Sequence, residues 1–327
     1  MQTKRLGTTD LELTRIGLGT WAIGGDWQYG WGPQDEKKSV ATIVRALELG
    51  INWIDTAPVY GLGKAEEVVA KAIQAFGTRP IIATKCGLTW SAKGKVKPKL
   101  IRESVRLEVE ASLRRLQVDR IDLYQVHWPN PDADIEEAWE TIASLVEAGK
   151  IRYAGVSNFN IKQMERVRKI FPIASLQPPY SLLKRDNEAE VLPYCERNKI
   201  GVLAYSPMQK GILTDKFTRH FVQNLTASDH RRKSDPDFKD PLLSANLEFV
   251  DAMRGLATQK GVLVSDIAVA WVLRRTEVTA AIVGARTPEQ VEQNVRTPNC
   301  TLSKSDLSVI DLLFARNCKS VFDSQPN

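Results

Sequence analysis

The sequence is poor in the residues that build disulfides and metal centres. Its 327 residues include four cysteines, which lie far apart without a Cys-x-x-Cys pair, and three histidines. That spacing disfavours structural zinc, so no metal is expected, and it indicates a reducing compartment. No apolar N-terminal stretch resembles a signal peptide, so a cytoplasmic protein is expected.

Long hydrophobic runs are also absent. No apolar run reaches the roughly 18 residues of a membrane span, so no membrane association is expected. Hydrophobic residues make up 43% and charged residues 26% of the chain, which predicts a globular protein with a large core. No linker or low-complexity tract divides the sequence. Residues 1–327 are therefore expected to form one domain, with disorder only over 323–327.

The charge balance is basic. The net charge is +6, and much of the excess lies in residues 93–102 and 231–233. We interpret both stretches as solvated loops, since neither contains interleaved aromatic residues or a nucleic-acid motif. No nucleic-acid partner is therefore expected, although the basic bias favours an anionic, phosphate-bearing ligand.

Short β-branched runs alternate with amphipathic helical stretches along the chain. Eight runs are interpreted as strands: 16–20, 51–55, 80–84, 121–126, 151–156, 173–177, 200–205 and 280–283. Apolar strands, each followed by a helix, indicate a parallel sheet that helices cover. With eight strands, the expected α/β fold is a single (β/α)8 barrel, the TIM barrel.

Three further segments are expected around the barrel. Residues 4–15 precede the first strand and predict a hairpin across the barrel floor. Residues 211–262 predict a long loop after the seventh strand, of the kind that covers a ligand. Residues 304–316 predict a last helix. Within the barrel, Pro98 is assigned to the first turn of the helix after the third strand.

Four polar side chains follow neighbouring strands at their carboxyl ends, where barrels of this type carry out chemistry. The second strand ends at Asp55, and Tyr60 follows it. The third strand leads into Lys85 and the fourth into His127. We therefore expect an aspartate, a tyrosine, a lysine and a histidine to converge on one face of the barrel.

Proton transfer is the chemistry that these four side chains suit. A tyrosine whose pKa is about 10 is a poor acid at neutral pH. An adjacent Lys85 ammonium is expected to lower the pKa of Tyr60, and Asp55 supplies a counter-charge for Lys85. A neutral His127 can donate a hydrogen bond to a substrate carbonyl oxygen.

The set Asp55, Tyr60, Lys85 and His127 resembles the catalytic tetrad of the aldo-keto reductase superfamily. Further matching motifs are GLGTW at 17–21, GVSNF at 155–159, AYSP at 204–207 and GARTPEQ at 284–290. The last two are most similar to the bacterial branch related to potassium-channel β-subunits. The resemblance covers essentially the whole chain and implies NADPH-dependent reduction of aldehydes or ketones, with Tyr60 as the general acid.

The resemblance also implies a nicotinamide cofactor held without a Rossmann fold. Ser157, Asn158 and Gln177 are expected to hydrogen-bond its carboxamide, and Tyr205 to stack on its ring. The other residues that the resemblance places near the cofactor are Thr20, Trp21, Asp55, Ser206, Pro207, Met208, Lys210, Gly211, Leu213 and Lys216. The alternative role of Ser157 and Asn158 is the N-cap of a helix over 161–169.

The segment after the eighth strand bears on the choice between NADPH and NADH. Gly284 opens a loop into a helix start, which suits a phosphate, and Arg286 adds a cation for a 2′-phosphate. Gln290, Gln293 and Asn294 are expected to face the adenosine. Better-known members of the superfamily carry a lysine and a further arginine in place of Gly284 and Gln290. NADPH is therefore favoured, with weaker use of NADH as the alternative.

Tryptophans are expected to form an aromatic substrate pocket. Trp21, Trp90 and Trp128 follow the first, third and fourth strands. Three more aromatic residues lie in the first loop: Trp27, Tyr29 and Trp31. The sequence identifies a small-molecule carbonyl substrate only as a class. It leaves the reaction direction open, as it does the choice between monomer and homo-oligomer.

Two other functions fit parts of the sequence. Metal-dependent barrel hydrolases also use Asp, Lys and His at strand ends, but His220 and His230 lie in the long loop, away from any strand end. The other alternative is a cofactor-binding sensor or interaction subunit with little turnover, like the channel β-subunits. The complete tetrad favours the reductase.

Overall fold

A closed parallel barrel forms the centre of the computed structural model, which describes residues 1–297 and 300–317. The strands, in chain order, are β1 (Thr3–Arg5), β2 (Glu12–Thr14), β3 (Ile16–Gly19), β4 (Trp53–Asp55), β5 (Ile81–Cys86), β6 (Leu88–Trp90), β7 (Val96–Pro98), β8 (Ile121–Val126), β9 (Ile151–Ser157), β10 (Ser175–Gln177), β11 (Gly201–Tyr205) and β12 (Val278–Gly284). Eight of them close into the barrel in the order β10-β11-β12-β3-β4-β5-β8-β9. This confirms the (β/α)8 barrel, and each predicted barrel strand overlaps an observed one.

Twelve α-helices accompany the barrel strands in the described part of the chain. They are α1 (Glu36–Glu48), α2 (Lys64–Phe76), α3 (Arg102–Leu116), α4 (Ile135–Glu147), α5 (Ile161–Val167), α6 (Val191–Arg197), α7 (Arg219–Gln223), α8 (His230–Lys233), α9 (Leu242–Lys260), α10 (Val264–Leu273), α11 (Pro288–Asn294) and α12 (Lys304–Asn317). Helix α1 shows which local features of the sequence start and orient a helix. The Asp35 carboxylate caps α1 by accepting the N–H of Lys38, and Ile43 and Leu47 are buried on one face. Gly50, with a φ of 88°, then allows the chain to turn into β4.

The hairpin of β1 and β2 closes the amino-terminal end of the barrel. Leu6, Leu11 and Leu13 are buried in the same cluster as Trp53 and Leu203 of the barrel strands. The hairpin predicted over residues 4–15 is therefore confirmed. Because the hairpin closes this end, the carboxyl ends of the strands remain as the face that can admit a ligand.

The structure contains a second hairpin, of β6 and β7, which the sequence did not predict. Pro98, assigned from the sequence to the first turn of a helix, pairs with Leu88 at the end of β7. That assignment is wrong, since α3 begins only at Arg102. Proline is tolerated here because this two-stranded sheet consists of edge strands alone.

The segment 211–262 contains more regular structure than a long loop. It includes α7 and α8 and the 19-residue helix α9. Arg231, expected in a solvated stretch, is buried and ion-paired with Asp229 at 2.7 Å, so that expectation is wrong for this residue.

The helix predicted over 304–316 is present as α12, whereas residues 323–327 lie outside the described residues. In the described part of the chain, no single helix is long and apolar enough to cross a membrane. The helices α9 and α10 meet that criterion only as a pair bent by 89°.

Gly17→Ala tests the packing inside the barrel. A Cβ atom at Gly17 would lie 2.1 Å from Cε2 of the fully buried Trp53. We expect this variant to lose roughly 1–3 kcal/mol of unfolding free energy, since overpacking forces neighbouring groups to shift. The control Gly255→Ala, exposed in α9 with open space around it, should gain about 0.5–1 kcal/mol. Urea unfolding followed by circular dichroism measures both. Equal midpoints would contradict the packing described.

Candidate active site

A buried ion pair lies at the carboxyl ends of β4 and β5. The Nζ atom of Lys85 is 2.8 Å from both carboxylate oxygens of Asp55 and 2.9 Å from the carbonyl oxygen of Thr56. The side chain of Lys85 is 0% exposed and that of Asp55 is 4% exposed. Oxygen acceptors therefore replace the water that the ammonium group loses on burial.

Tyr60 and His127 complete the cluster. The phenol oxygen of Tyr60 is 3.4 Å from Nζ of Lys85, and the rings of Tyr60 and His127 lie 5.9 Å apart at 76°. The backbone N–H of His127 donates to the carbonyl of Cys86, so the pairing of β5 with β8 sets the position of the imidazole. The structure thus brings all four residues of the predicted tetrad together.

Burial governs the protonation of this cluster. Loss of hydration, reinforced by the Asp55 carboxylate, raises the pKa of Tyr60 well above its ordinary value. Burial and the Lys85 ammonium lower the pKa of His127 well below its ordinary value. The net shift of the Tyr60 pKa is therefore upward, so burial outweighs the lowering expected from Lys85. At neutral pH the phenol keeps its proton and the imidazole is neutral.

Side chains from β9 and β10 form a polar edge beside the ion pair. The Ser157 hydroxyl donates to the carbonyl oxygen of Gln177 at 2.9 Å. The Gln177 amide nitrogen donates to Oδ1 of Asp55 at 2.8 Å. The amide oxygen of Gln177 accepts no hydrogen bond from the rest of residues 1–297 and 300–317, so it remains available to a ligand.

Asn158 links this edge to Tyr205 at the end of β11. Its amide nitrogen donates to the carbonyl of His127 at 3.0 Å, and its amide oxygen accepts from the Tyr205 hydroxyl at 2.9 Å. The alternative N-cap role of Ser157 and Asn158 is wrong, because Asn160 caps α5. Asn158 instead has a φ of 62°, a left-handed conformation that asparagine tolerates.

The segment after β11 is a compact turn that ion pairs of Lys210 hold in place. Ser206 and Lys210 have positive φ angles, and Nζ of Lys210 lies 2.6 Å from Asp235 and 3.1 Å from Asp237. Burial opposes the charge of Lys210, but the two carboxylates raise its pKa overall. The ammonium group of Lys210 is therefore already paired with Asp235 and Asp237.

The other residues expected near the cofactor differ in exposure. Thr20 is fully buried and donates its hydroxyl to the carbonyl of Asp55 at 3.1 Å. Leu213 is fully buried in the core, so its side chain does not line an open site. Pro207 is also buried, Met208 and Gly211 are partly buried, and Lys216 is exposed.

Arg286 faces the first loop, which we define as residues 24–34. Its Nε donates to the side chain of Gln34 at 2.7 Å, and its terminal nitrogens donate to the carbonyls of Trp31 at 3.2 Å and Pro33 at 2.6 Å. Two of the five guanidinium N–H groups remain beyond these three bonds. These contacts join residues more than 250 positions apart and have no local signature in the sequence.

The three residues expected to face the adenosine are hydrogen-bonded within the protein. The side-chain oxygen of Gln290 accepts the backbone N–H of Arg286 at 2.8 Å. The amide nitrogens of Gln293 and Asn294 donate to Ser265 at 3.2 Å and to the carbonyl of Gly284 at 3.3 Å. Gly284 itself is exposed, with no atom closer than 3.8 Å to an added Cβ, which leaves room beside it.

Two indoles cover Tyr60. The ring of Trp21 lies 5.2 Å from that of Tyr60, and the ring of Trp27 lies 6.2 Å from it. The two indoles contact each other at 5.3 Å. No local signal in the sequence distinguishes Trp27 from Trp31, the other tryptophan of the first loop.

The other two tryptophans assigned to the pocket lie farther out. Trp90 packs near Arg115, with 6.0 Å between its ring and the guanidinium carbon. Trp128 is 44% exposed at the end of β8. Their role as pocket walls stays a prediction.

The two histidines outside the tetrad take part in local contacts. His220 approaches Asn224, and His230 packs edge-on to Tyr29 at 5.3 Å. Among residues 1–297 and 300–317, no three His, Cys, Asp or Glu side chains are grouped so that they could hold a metal ion.

Known proteins are similar to this chain in sequence and in fold. A model of the aldo/keto reductase family matches residues 15–314. This chain belongs to the aldo-keto reductase family. It is 43% identical to the aldo-keto reductase YhdN of Bacillus subtilis over 320 residues, covering 96% of this chain and 93% of the relative. It is 35% identical to the NADH-specific methylglyoxal reductase of Escherichia coli over 318 residues, covering 93% and 96%. The solved glycerol dehydrogenase AKR11B4 of Gluconobacter oxydans superposes with a TM-score of 0.89 at 39% identity, covering 100% of this chain and 99% of that one.

Asp55→Asn is expected to destabilise this aldo-keto reductase by about 3–5 kcal/mol, because it leaves a buried ammonium without its counter-charge. The double variant Asp55→Asn/Lys85→Met removes both charges and should recover most of that loss. The matched control is Glu12→Gln, which breaks an exposed pair with Arg5 and should cost less than about 1 kcal/mol. Denaturant unfolding of the four proteins gives the comparison. A single variant as stable as the wild type would show that the pair does not hold the site together.

Proposed function

We propose that this protein reduces aldehydes or ketones to alcohols with a reduced nicotinamide cofactor, and that NADPH is preferred to NADH. The observation that carries the proposal is the buried cluster in which the Tyr60 phenol lies 3.4 Å from Nζ of Lys85, which is paired with Asp55, with the His127 ring beside it. Family membership supports the reaction class.

The residues beside this cluster fit a nicotinamide. A carboxamide needs both donors and acceptors, and the unused amide oxygen of Gln177 belongs to the residue that pairs with Ser157 between β9 and β10. The nearby donors are the Ser157 hydroxyl and the Asn158 amide, which bond the carbonyls of Gln177 and His127 in this structure. Tyr205, tethered to Asn158, supplies an aromatic face close to the tetrad.

When bound, the reduced nicotinamide supplies the hydride that reduces the carbonyl carbon. Tyr60 donates its proton to the carbonyl oxygen, and Nζ of Lys85 stabilises the phenolate that remains. Asp55 keeps Lys85 charged and oriented. His127 donates a hydrogen bond to the same carbonyl oxygen and so holds it near the phenol.

Arg286 supports the preference for NADPH. Its two unused N–H groups are suited to a 2′-phosphate, and the exposed Gly284 leaves space nearby. The similar Escherichia coli protein is described as NADH-specific, so NADH is the alternative cofactor.

We further propose that residues 1–327 act as one catalytic domain in the cytoplasm. The thiols of Cys86 and Cys195 are buried and free, as suits a reducing compartment. The AYSP and GARTPEQ motifs support a place in the bacterial branch related to potassium-channel β-subunits.

Tyr60→Phe is expected to lower kcat for carbonyl reduction by roughly 10²–10⁴-fold, because the general acid is lost. Cofactor affinity, measured by quenching of tryptophan fluorescence, should change little. The control Tyr153→Phe removes a hydroxyl that bonds Asp10 near the amino-terminal hairpin and should leave both quantities unchanged. Near-normal turnover by Tyr60→Phe would refute the assignment. If the wild type binds neither nucleotide, the reductase proposal must be withdrawn.

Arg286→Ala is expected to raise the KM for NADPH about ten-fold or more, and the KM for NADH much less, because it removes a charge-assisted bond to a phosphate. Arg286 also anchors the first loop, so Gln34→Ala serves as the control. That variant breaks both hydrogen bonds between Gln34 and Arg286 and keeps the guanidinium with its bonds to Trp31 and Pro33. Steady-state kinetics with both cofactors measures the effect. Equal increases for NADPH and NADH in Arg286→Ala would exclude a 2′-phosphate contact.

A further inference from the structure

The hairpin of β6 and β7 carries an unneutralised positive charge. We call residues 88–102 the basic hairpin. It contains Lys93, Lys95, Lys97, Lys99 and Arg102 and no aspartate or glutamate. Arg102 pairs with Glu140, but the four lysines are exposed, and none forms an ion pair within the described part of the chain.

This hairpin lies at the rim of the active site. It begins directly after the strand that carries Lys85. Leu88 and Val96 pack against the buried cluster that contains Tyr60. The backbone N–H of Val96 also donates to the side chain of Gln28 in the first loop at 3.2 Å, so the hairpin and the first loop adjoin.

The exposed lysines lie outside the contact between the hairpin and the cluster that contains Tyr60. Side chains alternate between the two faces of a strand, so Lys95 and Lys97 point away from the face by which Val96 packs near Tyr60. They therefore do not hold a substrate at the phenol. They add a positive potential to the approach to the site, where the adjoining first loop contributes a single acid, Asp26.

We propose that the basic hairpin steers anionic carbonyl compounds, which bear a carboxylate or a phosphate, into the active site. This inference rests on the proposed reductase function and adds the substrate class. Steering raises the association rate of a ligand of opposite charge, and salt weakens it as the Debye length falls from about 30 Å at 0.01 M to about 3 Å at 1 M.

The experiment compares two variants that lose the same charge. Lys95→Gln/Lys97→Gln neutralises the hairpin. Lys169→Gln/Lys199→Gln neutralises two exposed lysines in the connections that enter β10 and β11, at the opposite end of the barrel. The value of kcat/KM is measured at saturating cofactor for 4-carboxybenzaldehyde and for its neutral methyl ester. A second pair, glyceraldehyde 3-phosphate and glyceraldehyde, distinguishes phosphate from carboxylate.

At low ionic strength, we expect the hairpin variant to lose roughly 3–10-fold in kcat/KM for the anionic compounds and almost nothing for the neutral ones. The other double variant should match the wild type, and the difference should disappear at about 0.5 M salt. Loss with only one of the two anions would restrict the substrate class to that anion. Equal behaviour of the two variants, or no dependence on salt, overturns the inference while neutral aldehydes are still reduced. If the wild type reduces no carbonyl compound with either cofactor, the proposed function fails, and the steering proposal fails with it.

Discussion

The buried ion pair of Lys85 and Asp55 is the constraint on which the rest of the site depends. A fully buried ammonium stays charged only where other groups replace its lost hydration, and both oxygens of Asp55 and the carbonyl of Thr56 do so here. The two residues lie on adjacent strands, β4 and β5, whose register pairs Asp55 with Ala83. Gln177 reaches the same carboxylate from β10, 122 positions along the chain. The site therefore forms only when the barrel closes and brings these three strands together.

The same dehydration sets the protonation of the neighbouring groups. Trp21 and Trp27 cover Tyr60, and burial raises the pKa of the phenol while it lowers that of His127. An acid with a raised pKa releases its proton only where the resulting anion is stabilised. The Lys85 ammonium, 3.4 Å from the phenol oxygen, is the group placed to do this. Lys85 therefore opposes the effect of burial, because a cation that stabilises the phenolate also makes the phenol more acidic.

The sequence was sufficient for the barrel and the tetrad because both follow from local patterns. Apolar runs mark the strands, and a parallel barrel brings their carboxyl ends together whatever separates them in the chain. The hairpin of β6 and β7 has no such pattern, because its strands have three residues each and lysines surround the second of them. The length of segment 211–262 suggested a loop, but the segment contains helices. The direction of the Tyr60 pKa shift was missed for another reason, since sequence identifies a neighbouring cation but not how much water the fold removes.

Contacts between distant loops had no signal in the sequence, and they connect the two sides of the site. Arg286, after β12, holds the carbonyls of Trp31 and Pro33, and the guanidinium of Arg231 lies 4.1 Å from the ring of Trp31. At the other end of the same loop, Trp27 packs on Tyr60.

The loop that shields the phenol is therefore anchored by Arg286. Any anion that takes the N–H groups now bonded to Trp31 and Pro33 must release that anchor, whereas one that uses the two remaining N–H groups leaves the loop in place. The contacts of Arg286 thus link the segment after β12 to the loop that carries Trp27 over Tyr60.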